Sequence, residues 1–279
     1  MKNAISVDVE DFFQVSAFEK YINRSEWDKI PSRVEKNTYR ILEILSYYNI
    51  KATFFILGWI AERFPVLVRT ISSQGHEIAC HGYYHIKAYL QEPDEFRDDV
   101  FSAKSIIEDI AGVRMRGYRA ASYSIGSRNL WALEILDDLG FDYSSSIYPI
   151  KHDIYGMPNA PRFAFKPENT NQLIEIPVST ISIFGKRFPC GGGGFFRLYP
   201  YEFSKWAINK VNNEENQPCI FYFHPWEIDP DQPRQLGLDS RTRFRHYLNL
   251  SSMEDKLNKL MRDFDWDSIE KVFLSNKIV

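Results

Sequence analysis

Two histidines four residues apart are the strongest chemical signal in the chain. His81 and His85 stand in the stretch His81-Gly82-Tyr83-Tyr84-His85. On a helix or a helical turn, side chains at this spacing share one face and could bind the same metal ion. The alternative is that both are surface histidines on a loop. Together with one carboxylate, two imidazoles make the three-ligand, open site that is typical of catalytic zinc.

A cluster of acidic residues near the start of the chain could supply that carboxylate. Asp8, Glu10 and Asp11 lie within four residues and would repel one another unless a positive group lay among them. If a strand ends here, Asp8 and Glu10 project to the same side. A carboxylate that does not bind the metal could act as a base toward water. The alternatives are the N-terminus of a helix or a solvated turn.

Two further polar residues are candidates for the same site. Arg119 follows a short β-prone run and could hold a carboxylate bidentately, which would keep it ionised; a surface salt bridge is the alternative. His224 ends the very apolar run 220–223 and could be a general acid or a metal ligand. For this histidine, the alternative is a hydrogen-bonded position in the core.

Segments typical of strands and helices alternate through the first half of the chain. Short β-prone runs occur at residues 4–7, 51–57, 77–80 and 141–143, and a late one at 220–223. Apolar residues at helical spacing predict helices near residues 34–48, 65–74, 96–110, 129–139 and 253–264. The alternation predicts β-α units and a parallel sheet, open or closed into a barrel. Functional residues of such folds follow the strands, as the polar residues above do.

Four consecutive glycines, 191–194, interrupt the less regular middle of the chain. Glycine permits backbone conformations and close approaches that other residues do not. No phosphate-binding Gly-x-x-x-x-Gly-Lys-Ser/Thr signature accompanies them. We therefore expect a turn between two strands.

The composition excludes several classes of protein. Lys and Arg number 34 against 37 Asp and Glu, a net charge of −3, which argues against a nucleic-acid partner. The three cysteines are too widely spaced for a thiolate zinc site or a disulfide framework, which fits a reducing compartment, most simply the cytoplasm. No apolar run predicts a signal peptide or a transmembrane segment. Aromatic residues make up 15% of the chain; most are expected in the core, and some could line a carbohydrate cleft.

Taken together and in order, these motifs resemble those of the NodB-homology polysaccharide deacetylases, carbohydrate esterase family 4. The branch linked to bacterial exosortase exopolysaccharide loci is the most similar. The matching stretches are 6–11, 52–55, 75–85, 117–123, 193–197, 222–227 and 244–247. The resemblance implies an α/β fold, a distorted (β/α) barrel. It implies one domain over residues 1–279, with about 228–279 as a family-specific extension packed on the barrel.

The same resemblance implies a divalent metal, usually zinc, and a role for each candidate residue. His81 and His85 match the two metal-binding histidines. Asp8 matches the catalytic base, Arg119 the arginine that positions this base, and His224 the general acid.

The chain departs from the commoner family pattern at the third metal ligand. Val9 stands where the family usually has a second aspartate, and valine cannot bind a metal. Some branches carry Asp-x-Asp instead, and on that pattern Glu10 becomes the ligand, with Asp11 as the alternative. The carboxylate that tunes the acid histidine has no clear counterpart either. The candidates are Asp153, Glu175 and Glu227.

The implied reaction is hydrolysis of an N-acetyl amide on a hexosamine unit of a bacterial polysaccharide, an exopolysaccharide or its precursor. Tyr123, Trp226 and Phe196 are expected to stack on the sugar rings. Two alternatives stay open: an amidase of the same fold that acts on a small cyclic imide or ureide, and a catalytically inactive carbohydrate-binding protein. The oligomeric state is also open, a homo-oligomer included.

Overall fold

Strands and helices alternate along the chain, as predicted. The computed structural model describes residues 1–152 and 156–275. Its strands are β1 (Lys2–Val9), β2 (Thr53–Ile56), β3 (Glu77–Cys80), β4 (Gly117–Tyr118), β5 (Tyr143–Ser144), β6 (Ile174–Glu175), β7 (Thr180–Ile183), β8 (Lys186–Pro189), β9 (Ile220–Phe223) and β10 (Asp265–Asp267). Its α-helices are α1 (Val34–Tyr47), α2 (Gly58–Arg63), α3 (Pro65–Ser73), α4 (Pro93–Ala111), α5 (Trp131–Asp138), α6 (Gly193–Leu198), α7 (Tyr201–Asn213), α8 (Ser240–Tyr247) and α9 (Met253–Asp263).

Short helical turns connect these elements. The 3-10 helices are Ser16–Phe18, Arg24–Lys29, Ala88–Leu90, Ala121–Tyr123, Pro225–Ile228 and Leu250–Ser252, and a π-helical turn spans Glu270–Leu274. None of the helices in the described ranges is long and apolar enough to cross a membrane.

An eight-stranded parallel sheet forms the centre of the molecule. Its strand order is β10-β1-β2-β3-β4-β5-β6, and β9 also pairs with β1. The register pairs Asp8 of β1 with Phe55 of β2, and Val7 of β1 with Phe223 of β9. Because all these pairings are parallel, the carboxyl ends of the strands meet at one edge of the sheet. The sheet therefore gathers the residues that follow β1, β3, β4 and β9.

The helices cover the sheet with their apolar faces, and α4 shows how local sequence specifies one of them. A capping box formed by Glu92 and Glu95 starts this helix, with Pro93 in its first turn. Gly112 ends it in the left-handed conformation, at φ 67°. The side chains predicted to face the core are buried: Phe96, Val100, Ala103 and Ile107. Ile110 is partly buried against the same core.

Two of the four glycines extend the sheet, so the predicted turn between strands is wrong. The Tyr222 N–H donates to the Gly191 carbonyl oxygen at 2.8 Å, and Gly192 forms a parallel bridge to Tyr222. A Cβ at Gly191 would lie 2.2 Å from the Ile220 carbonyl oxygen, which only glycine avoids. Gly193 then begins α6.

The C-terminal segment is partly an outer layer and partly a component of the sheet. Helix α9 buries Met253, Leu257 and Leu260 against the core. β10, however, pairs with the start of β1, with Lys2 beside Asp265. The extension thus completes one side of the sheet.

Candidate active site

The residues predicted to do chemistry lie together at the carboxyl edge of the sheet. Asp8 is near the end of β1, Glu10 follows β1, His81 and His85 follow β3, Arg119 follows β4, and His224 follows β9. Five of them are buried, and the His224 side chain keeps 18% of its surface exposed. Parallel pairing of β1 with β9 and β2 brings these segments together although they are distant in sequence.

Arg119 and Asp8 form a buried ion pair. Arg119 Nη1 lies 2.5 Å from Asp8 Oδ1 and also donates to Ser6 Oγ at 2.8 Å. The other side of the guanidinium donates to Ser145, through Nε to the carbonyl oxygen and through Nη2 to Oγ. An arginine fixed by this many acceptors holds its carboxylate in one orientation. This contact is the one expected of a residue that positions a base.

Glu10 lies between two histidines. Its Oε2 is 3.1 Å from His85 Nε2, and its Oε1 is 3.0 Å from His224 Nε2. Complete burial by itself would raise the pKa of Glu10. The facing histidines outweigh this effect and lower the pKa to about 2. Glu10 is therefore an anion at neutral pH.

Both carboxylate oxygens of Asp11, the alternative ligand, already have hydrogen-bond partners. Its Oδ2 accepts from Ser32 Oγ at 2.6 Å and from the backbone N–H groups of Arg33 at 2.7 Å and Val34 at 2.9 Å. Its Oδ1 accepts from the Phe12 N–H. Because Val34 is the first residue of α1, this carboxylate satisfies the otherwise unpaired N–H groups at the start of that helix.

The histidine pair occupies an irregular loop, so the expected helical turn is wrong. His85 itself has a left-handed backbone, with φ at 54°. The two rings nevertheless lie side by side, with centroids 5.3 Å apart. His81 Nδ1 is 2.7 Å from the Arg119 carbonyl oxygen, which leaves Nε2 available as a ligand. Burial lowers the pKa of His81 to about 4, so the ring is neutral, as metal binding requires.

The imidazole nitrogens and the carboxylate oxygens of this cluster are atom types that bind metal ions. Glu10 Oε2 and His85 Nδ1 are buried and form no hydrogen bond within the described residues. Two imidazoles and one carboxylate are a common ligand set of catalytic zinc. In their present rotamers, however, no three His, Cys, Asp or Glu side chains of residues 1–152 and 156–275 converge closely enough to hold an ion.

His224 is held by a buried network that the sequence analysis only partly anticipated. Its Nδ1 lies 3.1 Å from Glu227 Oε2, and Glu227 Oε1 accepts from Arg197 Nε at 2.9 Å. Burial alone would lower the pKa of His224, but Glu10 and Glu227 raise it to about 10. Arg197 lies inside the matching stretch 193–197, yet local sequence contains no signal for its pairing with a residue thirty positions later.

Glu227 is the one of the three candidate tuning carboxylates that contacts His224. Glu175 is wrong as a candidate because its Oε1 accepts from the backbone N–H groups of Ser146 and Ile147. Asp153 lies outside the described residues.

Two of the three aromatic residues expected to stack on sugar rings are covered by protein. Phe196 is buried and packs edge to face against Phe221, with centroids 4.9 Å apart. Trp226 is 6% exposed and stacks with His224 at 5.3 Å and with His246 at 4.4 Å. Both side chains are therefore too deeply buried to meet a sugar ring in this conformation.

The third aromatic residue, Tyr123, lines a cleft of about 760 Å³. The Tyr123 ring centre is 5.5 Å from the guanidinium carbon of Arg119, so the wall of the cleft contacts the candidate site at this residue. The cleft combines aromatic, hydrogen-bonding and charged side chains, among them Tyr89, Gln91, Glu92, Arg128, Asn129 and Trp131. Tyr89 is 47% exposed. Mixed aromatic and hydroxyl-binding walls suit a ligand rich in hydroxyl groups.

Two family models match successive parts of the chain. Residues 25–144 match the family model "Polysaccharide deacetylase", and residues 145–274 match "Domain of unknown function (DUF3473)". Over 98 residues the chain is 37% identical to a peptidoglycan-N-acetylglucosamine deacetylase of Bacillus cereus, covering 35% of this chain and 36% of that protein. Over 92 residues it is 29% identical to a chitooligosaccharide deacetylase of Bradyrhizobium sp., covering 33% and 42%. The chain thus spans less than half the length of these curated relatives.

Solved structures of low sequence identity have the same fold. A Mycobacterium smegmatis protein assigned to the polysaccharide deacetylases aligns with a TM-score of 0.62 at 18% identity, over 97% of this chain and 89% of that one. The peptidoglycan N-acetylglucosamine deacetylase Bc1960 aligns with a TM-score of 0.52 at 18% identity, over 99% and 89%. A carbohydrate esterase family 4 pseudoenzyme of Bacillus anthracis aligns with a TM-score of 0.51 at 15% identity, over 97% and 64%.

These alignments confirm the predicted distorted (β/α) barrel. Residues 25–144 match the polysaccharide deacetylase family.

Proposed function

We propose that the chain is a metal-dependent hydrolase that removes N-acetyl groups from hexosamine units of a bacterial polysaccharide. One observation carries this proposal. Asp8, whose carboxylate is held by Arg119, and His224, a cationic histidine, face each other beside Glu10. Asp8 Oδ2 and His224 Nε2 are 4.0 Å apart. A base and an acid on either side of one reacting centre are what amide hydrolysis requires.

The metal would be held by His81, His85 and Glu10, and zinc suits these donors. When bound, it would act as a Lewis acid that lowers the pKa of a water molecule.

Asp8 accepts the proton of the attacking water in this proposal. Arg119 occupies Asp8 Oδ1 and leaves Oδ2 available on the side of His224. His224 then donates its proton to the departing amine, which would otherwise be a poor leaving group.

The cleft beside Tyr123 favours a glycan over a small cyclic imide. A volume of about 760 Å³ is larger than a small imide or ureide needs, and one residue of its wall, Tyr123, contacts Arg119. The names of the B. cereus and Bradyrhizobium relatives refer to amides on hexosamine polymers and oligomers. We take the polymer to be an exopolysaccharide or its precursor, on the motif resemblance described above.

We also infer that residues 1–279 act as one domain. The boundary between the two family matches, at residues 144 and 145, falls where β5 ends inside the sheet. Arg119 bonds to Ser145 across this boundary. A single transition in calorimetric unfolding is expected, and two separate transitions would contradict it.

Acetate release by the purified, zinc-supplemented protein tests the function. We expect acetate from N-acetylated oligosaccharides, no hydrolysis of cyclic imides, and a loss of about 10²–10⁴-fold in kcat in the Asp8→Asn variant. Hydrolysis of the imides alone would support the small-amide alternative. Binding of oligosaccharides without any acetate release would identify an inactive carbohydrate-binding protein.

A further inference from the structure

The C-terminal half of the chain contains a buried ion pair that ends on His224. Arg197 Nε and Glu227 Oε1 are 2.9 Å apart, and both side chains are almost completely buried. The second oxygen of Glu227 contacts His224 twice, through the ring Nδ1 at 3.1 Å and through the backbone N–H at 3.0 Å. The Glu227 carboxylate thus fixes the positions of both the ring and the main chain of His224.

The end of α8 holds the other side of Arg197. Nη1 donates to the carbonyl oxygens of His246 at 2.9 Å and Leu248 at 2.7 Å, and Nη2 donates to that of Arg245 at 3.3 Å. The last carbonyl groups of a helix lack partners within the helix and attract a cation. Arg197 is therefore fixed on one side by a helix end and on the other by a single carboxylate.

A glycine makes room for this carboxylate. A Cβ added to Gly193 would lie 2.0 Å from Glu227 Oε2 and 2.8 Å from Oε1. No such contact occurs at the adjacent Gly194, where an added Cβ meets nothing within 4 Å. The contrast shows that the position of Glu227 depends on the absence of one particular side chain.

Burial alone would raise the pKa of Glu227, but Arg197 and His224 hold it below its usual value. Removal of Arg197 would leave a buried carboxylate with one charged partner fewer. These contacts orient the Nδ1 side of the ring, so Nε2 points toward Glu10 and Asp8.

We propose that Arg197 is a positioning residue that holds His224 through Glu227. This inference rests on the proposed role of His224 as proton donor. All three residues lie within 145–274, outside the segment that matches the deacetylase family.

The test compares Gly193→Ala with Gly194→Ala in the full-length protein. Both substitutions add one methyl group to the first turn of α6, so they are matched in helix propensity. We expect Gly193→Ala to lower kcat about 10²-fold with KM little changed, since displacement of a catalytic group by roughly 1 Å costs this much. Gly194→Ala should keep the kcat of the wild type. Equal activity of the two variants would overturn the proposal.

Two further measurements separate positioning from folding. Glu227→Gln keeps the size of the side chain and is expected to fold, as checked by thermal unfolding. It should lose kcat, and the double variant Arg197→Lys/Glu227→Gln should be no slower than Glu227→Gln alone. Additive losses would show that Arg197 does not act through Glu227.

A spectroscopic readout keeps the inference distinct from the proposed function. In protein labelled with ¹⁵N-histidine, His224 should show a protonated, hydrogen-bonded Nδ1 in the wild type and in Gly194→Ala, and an altered signal in Gly193→Ala. An unaltered signal in Gly193→Ala would overturn the positioning role. If the wild type released no acetate from any glycan, the proposed function would fail, and this spectrum would still decide whether Arg197 and Glu227 orient the ring.

Discussion

Glu10 Oε1 lies 3.0 Å from His224 Nε2, so the expected metal ligand and the expected proton donor are in direct contact. The other oxygen, Oε2, lies 3.1 Å from His85 Nε2, on the side of the expected metal ligands. Glu10 therefore joins the expected metal ligands to the acid histidine, a relationship that a pattern of isolated motifs does not indicate.

The first prediction concerns the third metal ligand. Glu10→Gln should lose most of the bound metal, because a neutral amide is a poorer ligand than a carboxylate. Elemental analysis after dialysis measures this. Asp11→Ala should keep its metal and lose about 1–2 kcal/mol of unfolding free energy, because it removes the cap of α1. A metal-free Asp11→Ala with normal stability would reverse the assignment.

The second prediction concerns the base. Asp8→Asn should retain its metal and fold, because the amide oxygen can still accept from Arg119 Nη1 at the observed position. Its kcat for acetate release should fall by about 10²–10⁴-fold, the usual contribution of a positioned proton acceptor. Loss of metal together with activity would assign Asp8 to the ligand set instead.

The third prediction concerns the acid. His224→Ala should bind metal and substrate normally and lose about 10²–10⁴-fold in kcat, because proton donation matters in the transition state. Steady-state kinetics on an N-acetylated oligosaccharide separates kcat from KM. Near-normal kcat would mean that His224 is a structural residue and that the leaving amine takes its proton from another group.

The fourth prediction concerns the cleft. Tyr89→Ala should raise KM for oligosaccharides and leave KM for a single N-acetylated sugar unchanged, because Tyr89 lines the cleft away from the cluster. Tyr47→Ala is the matched control, since Tyr47 is 83% exposed and lies outside this cleft. The same change in KM for both variants would argue against a sugar-binding cleft.

The fifth prediction concerns a buried carboxyl at the opposite end of the sheet. Burial raises the pKa of Glu77 to about 7, although Thr53 and Tyr143 donate hydrogen bonds to it. Because the folded-state pKa lies above the unfolded value, the folded protein binds this proton more tightly. The stabilisation is complete below the unfolded pKa and is lost as pH rises through the folded pKa.

Chemical denaturation at pH 4.5 and pH 7 measures this effect. Wild type should lose unfolding free energy between these values relative to Glu77→Gln, which cannot ionise. Glu202→Gln serves as the control because Glu202 is exposed and should follow the wild type. Parallel pH profiles of wild type and Glu77→Gln would contradict the raised pKa.

Local patterns determined much of this protein from sequence alone. The helix α4, with its apolar stripe and its terminal Gly112, is specified within twenty residues, because helix periodicity and end signals are local. The candidate site residues follow apolar runs that were predicted to be strands. Because parallel strands align their carboxyl ends, this position in the sequence also predicted that their side chains would meet.

Tertiary structure alone decided how these side chains are used. Asp11 looks like a ligand in the sequence, and it became a helix cap because α1 begins beside it. Trp226 looks like a sugar platform, and it is buried because His246, from a helix of the C-terminal segment, stacks on it. The pairing of Arg197 with Glu227 has the same origin. A buried charge needs a partner of opposite charge. Here the partner comes from a segment that is distant in sequence, so local patterns do not indicate it.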